Sequence, residues 1–484
     1  MSKLQFKNFL WYILSFVFKN LLPLLILPLL TRYLTVEDFG LYALSLTFGI
    51  FGAGVINLGL LGIFERNFFE LSPFDRKNVL FTILIFVIMN MIILVLITYS
   101  YSEQISNQIF HESQVNDLLI WALIYQSFKS FNQYFFTYFK NYENARTFTY
   151  LSIFESIISL PTGMLFVVYI DNSAFGFFLG QALGVMLVFL ASFIYLFYPF
   201  KHIFVIPLLK DQLKLSLPLT PRIFFGIINS QFDRYMLGLL GSLGGVGLYD
   251  IGQKIANTSF TFMTTIQNVF EPQVYKRFFS ENIKIKKSIG AYLNIFIYIC
   301  IFVCMLVGIF SYEFLYLFIP EEFHGASPII SVLSLLYGFY FFGKQPQLLY
   351  AKKTGLISII SLATIALNIG FNIPMIHFFG VMGAAWATAL AGILSTSIIF
   401  FYGQKYAPIF YEKKVFNVLG VFVLSIFGTL YIDFIKADYI ISFGFKLSMV
   451  VLYISIGWYF KFFDLKEFKQ LLFKIAESQK NQNE

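Results

Sequence analysis

The chain has 484 residues, 58% of them hydrophobic and only 12% charged, with a mean hydropathy of +0.75. A soluble chain carries about a quarter charged residues, so the composition excludes an ordinary soluble globular protein. The net charge of +8 reads as a topology signal facing anionic inner-leaflet lipid, and it calls for no nucleic acid.

Apolar runs recur from end to end, each near the ~20 residues that cross a hydrocarbon core of about 30 Å. The backbone must satisfy its own hydrogen bonds there, so the runs are expected as helices. Lys3 and Lys7 precede an apolar stretch from Phe9 to Leu30. It is longer than a signal h-region and lacks a small-residue cleavage site, which predicts a retained first helix. Spans follow near 10–31, 40–63, 79–99, 116–138, 148–170, 175–197, 215–238, 247–270, 289–311, 327–349, 356–376, 381–403, 415–434 and 440–460. The expected fold is all-α and polytopic, with about 14 transmembrane helices.

Charge tests that register. With the N-terminus inside, most of the 34 basic residues fall in inner segments, and only Arg32 and Lys436 fall in outer ones. The densest inner connection holds Lys276, Arg277, Lys284, Lys286 and Lys287. The asymmetry predicts two cytoplasmic termini. The outer connections near 100–115 and 312–326 are too short to fold as domains. The tail after Trp458 is basic and amphipathic, as expected of an interfacial helix.

One hairpin occurs twice. LPLLILPLLTRYLTVEDFGLYALSL, from Leu22 to Leu46, shares its plan with Leu217 to Ala256, which contains DRYMLGLLGSLGGVGLYDIGQKIA. Arg32-Tyr33 matches Arg234-Tyr235, and Gly40-Leu41-Tyr42 matches Gly247-Leu248-Tyr249, with a longer intervening turn expected in the second copy. Phe68-Phe69 likewise parallels Phe278-Phe279, and Tyr142 parallels Tyr350. The spacing stays near two hundred residues throughout. It predicts two parallel six-helix lobes, 1–200 and 201–405, two added spans within 406–461 and a cytoplasmic tail over 462–484, with the site between the repeats.

Ionisable residues inside spans cost about 2.5–3.5 kcal/mol each at the centre and usually face a wet cavity or a partner. Lys19 and Arg222 stand at equivalent levels of spans 1 and 7, and Lys129 lies mid-way along span 4. These three are the leading candidates for binding an anionic substrate, with Lys254 and Lys344 as further candidates. Glu155, Asp233 and Asp250 are candidate ion-coupling groups. Arg32 and Arg234 are candidates for gating at the lobe ends, although Arg234 with Asp233 could equally anchor its helix. Asp250 and Lys254, four apart on one helix face, could also simply pair. Glu155 could pair with a cavity lysine instead of coupling to protons. Lys446 is expected to snorkel to an interface.

Other signals carry less. Cys300 and Cys304 read as membrane packing. The four histidines are scattered, and no metal constellation or cofactor is expected. The GSLGGVG stretch at 241–247 lacks the Lys-Ser/Thr of a phosphate-binding loop and reads as a tight outer turn. Pro23, Pro28, Pro218 and Pro221 are expected to bend spans 1 and 7 at matching places.

LPLLTRYLTVEDFGLYALS at 27–45 and DRYMLGLLGSLGGVGLYDIGQKIA at 233–256 resemble the first hairpin and the seventh-to-eighth span junction of polysaccharide-export flippases of the Wzx type. That family belongs to the MOP superfamily, with the MATE exporters and MurJ-type lipid II flippases. The resemblance implies a non-enzymatic secondary transporter that moves an undecaprenyl-pyrophosphate-linked oligosaccharide, an O-antigen, capsule or related unit, across a bacterial inner membrane. It implies a cationic cavity for the pyrophosphate or acidic sugars, which Lys19, Lys129 and Arg222 fit best. Partners are the lipid-linked substrate and membrane lipid, with a coupling proton or sodium ion and the polysaccharide polymerase and chain-length machinery as further candidates. A MATE-like exporter and a membrane-embedded polymerase or ligase are the alternatives. The first would want an acidic cavity and the second a large outer loop.

Overall fold

The computed structural model describes residues 3–110, 116–199 and 201–462. The tail beyond, read above as interfacial, and His111 lie outside the described residues. Every regular element among them is helical, and packing divides the chain into a first unit, 1–247, and a second from Leu248 onward.

The first unit contains α1 (Lys3–Leu30), α2 (Val36–Asn57), α3 (Leu60–Asn67), α4 (Pro73–Ser100), α5 (Ser102–Phe110), α6 (Asn116–Asn141), α7 (Ala145–Tyr169), α8 (Ala174–Phe197), α9 (Ile206–Ser216) and α10 (Thr220–Leu240). Starts are set by local polar residues. Thr35 and Asp38 form a reciprocal capping box on α2, Ser72 caps α4 and Ser173 caps α8. Pro23 and Pro28 lie inside a continuous α1. Pro218 instead sits in a 3₁₀ turn, Leu217–Leu219, that separates α9 from α10. The two proline pairs therefore act differently, because Pro218 and Pro221 occupy first-turn positions where a missing N–H costs nothing. α6 packs on α2, α4 and α8, and α7 packs on α1 and α8. The core between them is largely aromatic, with Phe64, Phe68, Phe131, Tyr134, Phe135 and Phe197 fully or almost fully buried.

The predicted long turn of the second hairpin is short. Only Gly241 and Ser242 separate α10 from α11 (Leu243–Phe278), and Gly245 N–H donates to Ser242 Oγ at 3.1 Å. Most of the glycine-rich stretch is thus helical, and the extra residues lengthen helix instead of loop. In the first unit Gly40 and Gly247 make a reciprocal backbone contact. A Cβ on Gly40 would fall on the Leu243 carbonyl oxygen, and one on Gly247 on the Val36 carbonyl oxygen.

The second unit continues along α11 into α12 (Ile283–Lys287), α13 (Ile289–Ile309), α14 (Ser311–Phe318), α15 (Ser327–Gly343), α16 (Gln347–Tyr350), α17 (Thr354–Tyr406), α18 (Lys413–Phe434) and α19 (Tyr439–Tyr459). α17 is two helices broken at Gly380, whose φ of 56° and ψ of −135° are not helical. α13 packs on α15 and α18, and α18 on α19. Tyr298 and Tyr453 tie α13 to α19 reciprocally, each hydroxyl donating to the other's carbonyl oxygen at 3.2 and 2.8 Å. Lys446 does not snorkel. It is 1% exposed and donates to both oxygens of Glu313, at 2.8 and 3.0 Å. A buried carboxylate within reach outweighs the pull of the interface.

The repeat appears as matching contacts inside each unit. Tyr42 Oη donates to Gln181 Oε1 at 3.3 Å in the first, and Tyr249 Oη bonds Thr388 Oγ1 at 3.4 Å in the second, both across 139 residues. Phe68 meets Tyr142 with ring centroids 5.1 Å apart, and Phe278 stacks on Tyr350 at 4.7 Å.

Among the described residues nine helices are long and apolar enough to cross a membrane, α17 counting once although Gly380 divides it. The chain is a multi-pass membrane protein. The nine leave out α1, α6, α10 and α11, which correspond to predicted spans 1, 4, 7 and 8. Those four carry Lys19, Lys129, Arg222, Asp233, Asp250 and Lys254, and in α1 the stretch Phe18–Leu30 is apolar but shorter than a full span.

Beyond the end of α8, His202 offers a small pH handle. Its Nδ1 lies 2.7 Å from Asn78 Oδ1, and its ring faces Phe197 and Phe81. Burial first, then Lys77, holds its pKa below the ordinary value of 6.5. A histidine depressed in the folded state gives stability that is present above the unfolded pKa and lost as pH falls through the folded one. Melting temperature is therefore expected to fall on acidification below about pH 6.5, with a shallower fall in His202→Asn. An identical pH slope in the two proteins would exclude the effect.

Candidate functional site

α2 stops where Leu58 and Gly59 both take left-handed backbone, with φ of 45° and 74°. α3 resumes directly, so predicted span 2 is a broken helix. Side chains cover the carbonyls freed at the break. Asn90 Nδ2 donates to Ile56 O at 3.1 Å and Thr220 Oγ1 to Leu58 O at 3.1 Å. Irregular backbone at membrane depth is tolerated where protein or a wet cavity satisfies it.

The break opens onto a cavity of about 440 Å³ within the first unit. One wall is α6, which contributes Gln126, Lys129, Ser130 and Gln133, and Asn57 adds a further amide. The rest of the lining is apolar, with Ile223, Ile227 and Ile50 beside Gly54, Gly59 and Gly62. The polar residues are held in place. Asn57 Nδ2 donates to Ser130 Oγ at 2.9 Å and to Ala53 O at 2.7 Å, and Tyr134 Oη donates to Asn57 Oδ1 at 3.0 Å. Lys129 Nζ donates to Tyr125 Oη at 3.3 Å. Among the described residues lining the cavity, Lys129 is the one cation and there is no carboxylate.

Glu155 is buried on α7 and lies within electrostatic range of both Lys19 and Lys129. Asn132 is its hydrogen-bonding neighbour, while Oε2 has no partner among the described residues. Contacts between α1 and α7 place Lys19 here, through Ser15 Oγ on Ser152 Oγ at 2.8 Å and Thr149 Oγ1 on Trp11 O at 2.8 Å. Its ammonium sits 4.4 Å from the centre of the Phe136 ring. Lys19 is not among the cavity-lining residues.

The other sequence candidates are dispersed. Arg222 is exposed in the first turn of α10, and its neighbours Ile223 and Ile227 form the cavity wall. Asp233 is buried on α10, and Arg234 Nη1 donates to Gln231 Oε1 at 2.9 Å. Arg32 is exposed just beyond α1. In the second unit Lys254 Nζ lies 2.6 Å from the buried Asp250 Oδ2, so the helical pair is formed. Lys344 is exposed at the end of α15, 5.5 Å from the Phe260 ring centre.

Sequence reasoning passed over Asn57, Gln126, Ser130, Gln133 and the Lys446–Glu313 pair. A signal for the three on α6 was available in QSFKSFNQ at 126–133, where six of the residues are polar in mid-span. An ammonium amid neutral amides and a hydroxyl, with apolar residues completing the lining, can hold an anionic, polyhydroxylated headgroup.

A family model described as polysaccharide biosynthesis protein matches residues 6–274, more than half of the chain. No curated protein sequence matches. Among solved structures, the fold is similar to an inward closed conformation of the lipid II flippase MurJ, with TM-score 0.68, 16% identity and coverage of 93% of this chain and 99% of that one. It is also similar to an inward-facing multidrug resistance MATE family transporter of the MOP superfamily (TM-score 0.56, 14% identity, 82% and 94% covered). A third is the MATE multidrug transporter DinF-BH (TM-score 0.52, 16% identity, 84% and 97% covered). At these identities the structures speak for the fold. The family match, which runs from α1 into α11 and takes in more than half of the sequence, makes this chain a member of the polysaccharide biosynthesis protein family.

Proposed function

We propose that the chain flips an undecaprenyl-pyrophosphate-linked oligosaccharide, an O-antigen, capsule or related repeat unit, from the cytoplasmic to the outer leaflet of a bacterial inner membrane by alternating access. The observation that carries the proposal is the first-unit cavity, with an ammonium, four neutral polar side chains and no lining carboxylate. Lys129 contacts the pyrophosphate, and the amides and Ser130 meet sugar hydroxyls. Lys19, Arg222, Lys254 and Lys344 are proposed as further substrate-binding residues, and Arg32 and Arg234 to act at the lobe ends. Glu155 is the preferred coupling group because a buried carboxylate oxygen without a partner can take a proton. Asp233 and Asp250 are the alternatives, with Asp250 already neutralised by Lys254. The chain has fourteen spans with both termini cytoplasmic, and lobes over 1–200 and 201–405. A MATE-like exporter of cations would want carboxylates where this cavity has Lys129.

Complementation of a flippase-deleted strain tests the proposal. Lys129→Ala at matched expression is expected to lower surface polysaccharide by about 10- to 100-fold, the worth of one charge-assisted hydrogen bond. Lipid-linked units should accumulate inside. Normal export by Lys129→Ala would remove the cavity as the substrate site, and failure of the wild type to complement with any repeat unit would remove the substrate class. Transport in proteoliposomes that ignored proton and sodium gradients would dispose of the coupling role of Glu155.

A further inference from the structure

The loop joining α11 to α13 differs from its repeat counterpart in what its basic residues do. In the first unit that connection carries Arg66, Arg76 and Lys77, and all three are internally engaged. Arg66 pairs with Glu70 at 3.3 Å, Arg76 Nε donates to Phe68 O at 2.7 Å and stacks on the Phe68 ring, and Lys77 Nζ donates to Leu196 O at 3.3 Å. In the second unit only Arg277 is so used, stacked 3.8 Å from the Tyr292 ring centre. Lys276, Lys284, Lys286 and Lys287 have no ion-pair partner among the described residues, and Glu281 is the one acid in the segment.

The segment is shaped, not slack. Asn282 caps α12 through Lys284 N–H, and Ser288 closes it onto α13. Large apolar side chains stand exposed between the lysines, with Phe279 71%, Ile283 67% and Ile285 41% accessible. Water satisfies the ammoniums but not those three. A headgroup and acyl boundary satisfies both, since apolar side chains enter it while lysines snorkel to phosphates.

We propose that Phe279 to Lys287 is a docking site for anionic phospholipid headgroups. Charge complementarity selects the occupant. Uncompensated lysines beside exposed apolar side chains at the end of a membrane helix match an anionic lipid surface, and a zwitterionic headgroup offers them no net charge.

The test is lipid retention by the full-length protein in native mass spectrometry, comparing phosphatidylglycerol with phosphatidylcholine. Wild type is expected to retain phosphatidylglycerol preferentially, with the preference weakening at high salt. The triple variant Lys284→Gln, Lys286→Gln, Lys287→Gln should lose about a hundredfold of it, equivalent to about 1 kcal/mol per lysine. A Lys210→Gln, Lys214→Gln variant on α9 should keep it. Unchanged preference in the triple variant, folded as judged by an unchanged melting temperature, would overturn the proposal. So would equal retention of the two lipids by wild type, or displacement of the lipid by millimolar inorganic phosphate. Loss of a co-purifying protein from the triple variant with lipid preference intact would assign the patch to a protein partner instead, and equally overturn it.

Discussion

Lys446→Met is expected to destabilise the protein by about 3–5 kcal/mol, as removing one member of a buried ion pair typically does. Lys446 is 1% exposed, Glu313 is buried with it, and the two are joined by hydrogen bonds to both carboxylate oxygens. Without the ammonium, Glu313 and the nearby Asp433 would face each other with no compensating charge. Glu313→Gln should cost a similar amount by stranding Lys446. The double variant Lys446→Met, Glu313→Leu should regain most of the loss, because well-packed apolar replacements of buried pairs are often neutral or stabilising. Thermal unfolding of the purified protein in detergent is the measurement. Single variants as stable as wild type would mean that the pair contributes nothing.

Gly40→Leu is expected to have an effect of comparable size for a different reason. The new Cβ would land on the Leu243 carbonyl oxygen, which is backbone and cannot swing aside as a side chain does. Overpacking costs about 1–3 kcal/mol where side chains can adjust, and more where they cannot. Gly247→Leu should match it, since its Cβ meets the Val36 carbonyl oxygen. Gly226→Ala on α10, where nothing lies within 4 Å, serves as the control. Its expected effect is neutral or slightly stabilising, as alanine replaces glycine inside a helix. Loss of folded protein in the control as in Gly40→Leu would show that the close contact is not the cause.

Much of this could be read in the chain because hydropathy reports solvent directly and repeats report architecture. The equivalence of Phe68 with Phe278 and of Tyr142 with Tyr350 was legible in their spacing, and the structure adds that each Phe meets the Tyr of its own unit. Two features could not be read this way. The break at Leu58–Gly59 lies inside predicted span 2, and hydropathy carries no information about φ. The partner of Lys446 lies 133 residues away, too far for any helical periodicity to connect them. The cavity wall on α6 was legible in QSFKSFNQ, where the amides of Gln126 and Gln133 and the hydroxyl of Ser130 flank Lys129 in mid-span. Conversely, spacing alone puts Lys19 and Arg222 at matching levels of the repeat, yet Lys19 lies over the Phe136 ring near Glu155 and Arg222 is exposed at the start of α10. Equivalence in a repeat fixes level along a helix, not the direction a side chain takes.

The polarity of α6 also bears on how the protein is made. With Lys129 and five further polar residues packed into eight positions, this helix would partition poorly into lipid by itself. Its neighbours α2 and α4 precede it in the chain and pack against it, so they would already be in the membrane when α6 leaves the ribosome. Entry of α6 would then be a cooperative step, stabilised by the Asn57–Ser130 and Tyr134–Asn57 hydrogen bonds as they form. A substitution at Asn57 would on that account show itself during biogenesis, as chains degraded before completion of the first unit, ahead of any change in transport.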